Sequence, residues 1–122
     1  MLEFVPFDSE RVIGLRVGGK LSKADIQRVA DVAELKLSAM GEGSRLRVYV
    51  EVESFGGMTF EALLEDLRFG LSHIGDIERK AVVSEIRWMG RLAGIVDPLF
   101  PSVNVKHFPP AERDAARAWV IA

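Results

Sequence analysis

The stretch RLRVYVEVE, residues 45–53, constrains the fold of this chain more than any other. Leu46, Val48, Val50 and Val52 alternate with Arg47, Tyr49, Glu51 and Glu53. Successive side chains on a strand point to opposite faces, so a strict period of two specifies a strand with one apolar and one polar face. A strand covered on both faces reads instead as a continuous apolar run. The alternation predicts a sheet with helices mainly on one face, the other being partly wet or used as an interface.

Strand and helix signals alternate along the rest of the chain. LEFVPF (2–7) reads as a short strand, with Pro6 suited to an edge. Asp8, Ser9 and Glu10 form a turn into a second strand, RVIGLRV (11–17), and the short link predicts a hairpin. Ser22 and Asp25 make an S-x-x-D helix start. Ile26, Val29, Ala33, Leu37 and Met40 follow at helical spacing, and Gly41 is the expected stop. A second helix spans about 59–73, with Gly75 ending it, and Ala81-Val82-Val83 is a short buried strand. IRWMGRLAGIVD (86–97) is a third helix, ended by Pro98 and Pro101. Val103, Val105 and Phe108 give the last strand, and Pro109 or Pro110 opens a final helix. The order is ββαβαβαβα, an α/β fold whose mixed sheet is mostly parallel by the right-handed crossover rule.

The 122 residues suit one domain, 1–122, with a real core. A formal net charge of −2 with interspersed signs argues against nucleic acid as a partner. The chain has no cysteine, which excludes disulfides, thiolate chemistry and cysteine-ligated metals. The N-terminus lacks the pattern of a signal peptide, and no apolar run reaches the ~20 residues a membrane helix needs. The expectation is a cytoplasmic protein, with contact to the inner face of the membrane limited to its periphery.

Three stretches together resemble the SpoIIAA-like family. They are VIGLRVGGKLSKADI, then FGGMTFEALLEDLRFGLSHIGDIERKAVV followed by Trp88, and VKHFPPAERDAARAWV. They cover nearly the whole chain. The family's fold is similar to STAS domains, the anti-sigma-factor antagonists and transporter tails. The resemblance implies helices stacked on a sheet in a βα superhelix, a layout shared with lipid-transfer domains of the CRAL-TRIO type. The signalling proteins of this fold carry an Asp-Ser pair at the start of the second helix, where the serine is phosphorylated. Here Gly57-Met58-Thr59 stands there, and Thr59 is the only hydroxyl at that junction.

No catalytic constellation is visible. Thr59 reads first as an N-cap and second as a candidate phosphorylation switch. Gly56-Gly57 reads as a turn rather than an anion cradle, since no Lys or Arg lies in the loop. His73 and His107 stand alone, without ligand spacing for a metal or a triad geometry. Glu61, Glu65, Asp66 and Arg68 read as a solvated helix face.

Segment 86–100 departs furthest from a plain core helix. Trp88, Leu92, Ile95, Val96 and Leu99 form one stripe, and Ile86, Met89, Ala93 and Phe100 widen it past the ~100° of a normal core face. Gly90 and Gly94 loosen it by about 1 kcal/mol each relative to Ala.

The leading expectation is a non-enzymatic domain without cofactor or metal that binds a small apolar or lipid-like ligand. Phe55, Met58, Leu64, Trp88, Met89, Leu92, Val96 and Phe100 would line the site. Trp88, Arg87, Arg91 and Phe100 would meet a membrane surface. The alternative is a STAS-like protein-interaction module, with Thr59 as its switch or the strand face of Tyr49 and Glu51 as contact points. A partly apolar surface leaves a homodimer open.

Overall fold

The computed structural model of the protein describes residues 2–18, 22–54, 77–84 and 104–122. Strands β1 (Leu2–Val5), β2 (Val12–Gly18), β3 (Leu46–Ser54), β4 (Ile77–Val83) and β5 (Asn104–Phe108) form one sheet in the order β1-β2-β3-β4-β5. β1 and β2 are antiparallel, and every later pair is parallel. Helix α1 (Lys23–Met40) links β2 to β3. A 3-10 turn (Pro110–Glu112) leads into the C-terminal helix α2 (Arg113–Ile121). The expected helices at 59–73 and 86–97 lie outside the described residues.

The hairpin depends on Gly14. It pairs with Val5, and a Cβ there would sit 2.3 Å from the Val5 carbonyl oxygen and 2.6 Å from the Phe7 ring. Helix α1 starts as its sequence requires. The Ser22 hydroxyl accepts from the Asp25 N–H at 3.0 Å, and the Ser22 N–H donates to Asp25 Oδ2 at 3.1 Å. That reciprocal box satisfies two orphan donors of the first turn. The helix ends at Gly41, whose φ of 90° only glycine adopts freely and whose N–H reaches the Leu37 carbonyl at 3.1 Å.

The core divides between the two faces of the sheet. On one face, Ile13, Leu15, Val17, Leu46, Val48 and Val50 pack beneath Val29 and Ala33 of α1. On the other, Val12, Tyr49, Ala81, Val83 and Phe108 pack against Ala116 and Val120 of α2. Burying one valine side chain stabilises by about 2 kcal/mol, so each face carries a real share of the core.

The described helices therefore sit on opposite faces, and α2 covers the face of β3 that was expected to be partly wet. Arg47, Tyr49 and Glu51 are buried, and only Glu53 of the polar set is exposed. The polarity of Arg47 is met by specific partners instead of water. Arg47 Nε donates to Glu78 Oε2 at 3.0 Å, and its Nη1 donates to the carbonyls of Val120 and Ile121 at 3.0 and 2.9 Å. Arg79 Nη1 donates to the Trp119 carbonyl at 2.9 Å. Helix α2 has no basic residue in its own last turn, so these two sheet arginines supply the cations at its negative end.

Strand β4 begins at Ile77, four residues before the apolar triplet that signals it in the sequence. Glu78, Arg79 and Lys80 hide its pattern because each is satisfied by tertiary packing.

Candidate functional site

One row of charges crosses three strands on the α2 face. The register sets Glu3 of β1 opposite Arg16 of β2, and Arg16 opposite Glu51 of β3. Directly opposite side chains on one face lie within reach of each other, so the register itself builds the cluster. Arg16 contacts Glu3 Oε2 through Nη1 at 3.4 Å, Glu51 Oε2 through Nη2 at 3.4 Å, and Glu53 Oε1 through Nε at 3.3 Å. Arg113, the first residue of α2, pairs with Glu51 Oε1 through its Nε.

The centre of this cluster is buried and its rim is open. The Glu51 side chain is 3% exposed, whereas Glu53 and Arg113 are about half exposed. The Glu51 carboxylate, followed by Glu53 and Glu3, holds the Arg16 pKa above its ordinary value against partial desolvation. Tyr49, beside Glu51, is fully buried, and its phenol pKa is pushed up to about 12 by burial first and by the Glu51 charge second. The Tyr49 hydroxyl meets no aligned hydrogen-bond partner, and Glu51 Oε1 likewise receives no aligned hydrogen bond despite its ion-pair contact with Arg113. Above them lies a cleft of about 170 Å³ lined by Glu51, Val52, Glu53, Val83, Pro110 and Arg113. It stands at the carboxyl ends of parallel strands, the usual place for ligands on such sheets.

A second polar pair occupies the opposite face. Ser84, just past β4, lies 2.8 Å from His107 Nε2 on β5 through its Oγ. His107 Nδ1 is buried without a hydrogen-bond partner, and burial lowers the imidazole pKa. Among the described residues no third group orients the ring as a triad would require. The sequence presents His107 as a lone histidine because its partner is 23 positions away and becomes a neighbour only when β4 and β5 pair. Among the described residues no group of His, Asp or Glu gathers to hold a metal ion. Nor is any described helix long and apolar enough to cross a membrane.

The residues expected to line an apolar pocket or meet a membrane, Phe55, Met58, Leu64, Arg87, Trp88, Met89, Arg91, Leu92, Val96 and Phe100, lie outside the described residues, as do Thr59 and His73. Tyr49 and Glu51, expected as exposed contact points, are instead the buried floor of the charged cluster. Arg16 and Arg113 were absent from that expectation. Their signal was the pairing register and the return of α2 onto β3, neither of which a single strand pattern specifies.

No curated protein and no solved structure is matched by this chain. A comparison with protein families matches residues 12–121 to the SpoIIAA-like family. That span runs from the start of β2 to the end of α2, and the chain belongs to the SpoIIAA-like family.

Proposed function

We propose that this chain is a non-enzymatic, STAS-like regulatory module that acts by binding a protein partner. The observation that carries the reading is the open rim of charges around Glu51, set at one end of the sheet of a SpoIIAA-like domain. Interspersed charges of both signs favour one partner's surface over another and set its register, which is what a regulatory contact needs. The apolar-ligand reading, placed first on sequence grounds, rests on residues outside the described set and ranks second here. Thr59 belongs to the proposal as the position where added phosphate charge would switch binding.

The test is affinity capture with the folded wild type, Glu53→Lys and Thr59→Glu, alongside native mass spectrometry of the purified protein. The proposal expects a stoichiometric partner that Glu53→Lys releases while its circular dichroism stays unchanged. A protein that captures nothing, yet carries a lipid-sized mass removable by organic solvent, would return the apolar ligand to first place.

A further inference from the structure

We infer that the groove between the β1–β2 turn and helix α1 binds a small amphipathic monocarboxylate, an acid head on a short apolar tail. The groove lies beside α1 at the start of β2, away from the rim around Glu51, so the inference does not rest on the partner reading above. It holds about 320 Å³, within the ~300–1,000 Å³ of small-molecule sites. Val5, Pro6 and Phe7 wall one side, Ile13 lines it from β2, and Val32 and Lys36 wall the α1 side. The walls are held by groups that do not line the groove. The Pro6 carbonyl accepts from Arg117 Nη2 at 2.9 Å, and the Phe7 ring meets Tyr49 edge-on at 5.2 Å and the Arg117 guanidinium at 4.2 Å. These contacts keep the turn from closing onto α1, so the groove is formed before a ligand arrives.

Charge narrows the ligand. The lining carries one charged side chain, Lys36, and no acid. The Lys36 ammonium donates to the Glu10 carbonyl at 3.3 Å, and among the described residues no carboxylate pairs with it. An ammonium has three donors, so it can take a carboxylate oxygen and keep the Glu10 bond. A cationic head would be repelled by Lys36. A phosphate or sulfate would set further oxygens against apolar walls that cannot meet them. The tail also has surface to follow. Phe4, in the groove lining, is 37% exposed, and Leu35, three residues after Val32 on α1, is 72% exposed, so apolar surface continues out of the groove.

The probe is sodium octanoate, titrated below its micelle concentration into the isotope-labelled full chain and followed by amide NMR, with octan-1-ol and octylammonium in parallel. Saturable octanoate shifts are expected at Ile13, Gly14, Val32 and Lys36, with octylammonium inert. Lys36→Gln keeps a donor, removes the charge and should weaken octanoate about fivefold while leaving octan-1-ol unchanged. That contrast separates a head-group contact from a general loss of the groove. Val32→Glu, which sets an acid in the α1 wall, should abolish octanoate binding in a chain whose circular dichroism is unaltered. Shifts that do not saturate or that centre elsewhere, equal shifts with octylammonium, a Lys36→Gln effect that is absent or shared by octan-1-ol, or octanoate binding that survives Val32→Glu would each overturn the assignment.

Discussion

Lys80 lies in β4 with 4% of its surface exposed, and burial pushes its ammonium pKa from 10.5 down to about 8. In the unfolded chain the ordinary value returns. Between about pH 8 and 10.5 the unfolded state therefore binds more protons than the folded state, and stability rises with pH. The gap of about 2.5 pH units corresponds to about 3 kcal/mol across the full window. Tyr49 acts in the opposite sense. Its folded pKa of about 12 exceeds the ordinary 10, so above about pH 10 the unfolded chain loses its phenol proton first and stability falls. The two together predict a rise of about 2 kcal/mol from neutral pH to a maximum near pH 10, followed by a decline. Urea unfolding followed by tryptophan fluorescence at stepped pH measures it. Lys80→Met should flatten the rise, and Tyr49→Phe should flatten the fall. Tyr49 is the chain's one tyrosine, so its phenolate absorbance reports that ionisation directly. A stability that declines steadily from pH 8, or a rise that persists in Lys80→Met, would refute the assignment of these two groups.

Arg47→Met should lower stability by about 3 kcal/mol in chemical denaturation, because it strands the Val120 and Ile121 carbonyls and unpairs Glu78; unchanged stability would mean that α2 is not held from the sheet. Gly14→Ala should cost about 2 kcal/mol or more and broaden the β1 amide signals, since its Cβ would collide with the Val5 carbonyl and the Phe7 ring. Ser22→Ala should cost about 1 kcal/mol through the lost cap. The same cap holds the Asp25 carboxyl below its ordinary value through the Ser22 N–H, so its contribution is present above pH 3.8 and is lost as pH falls through the folded value. His107 should titrate below 6.5 by NMR, and the stability of neutral His107 should be lost as pH falls below that ordinary value.

Local chemistry was legible from the sequence wherever a residue's neighbours in space are also its neighbours in the chain. The Ser22–Asp25 box, the Gly41 stop and the mostly parallel sheet follow from short-range patterns. The polar half of β3 was misread because alternation reports the contrast between two faces, and what covers each face is a separate matter. Arg47, Tyr49 and Glu51 look solvated in the sequence and are buried because a helix more than 60 residues later folds back over them. The charged start of β4 was missed for the same reason, since Arg47, the α2 carbonyls and the core absorb Glu78, Arg79 and Lys80. The Ser84–His107 pair and the Glu3–Arg16–Glu51 row are products of register, which no single segment encodes.

The same strand face is closed at one end and open to solvent at the rim of the other. Toward the start of β3, Arg47 is closed in by Glu78 and the end of α2, and its donors have defined acceptors. Two pleats later, Glu51 is as deeply buried, yet one of its oxygens has no aligned donor and its flanking arginines are open to solvent. Helix α2 makes the difference, because its carbonyl end caps Arg47 while its amino end carries Arg113 over Glu51. A helix amino terminus favours negative charge beside it, so the start of α2 is a favourable neighbour for the Glu51 side chain. Charge-reversing Arg113→Glu should therefore leave α2 docked at its Arg47 end while expelling the Glu51 carboxylate from its cleft. Amide exchange tests this: protection should fall at Glu51 and Val83 and persist at Ala116 and Val120. Uniform loss of protection along α2 would show that the two ends of the helix are one cooperative contact, and that Arg113 belongs to the core instead of the site.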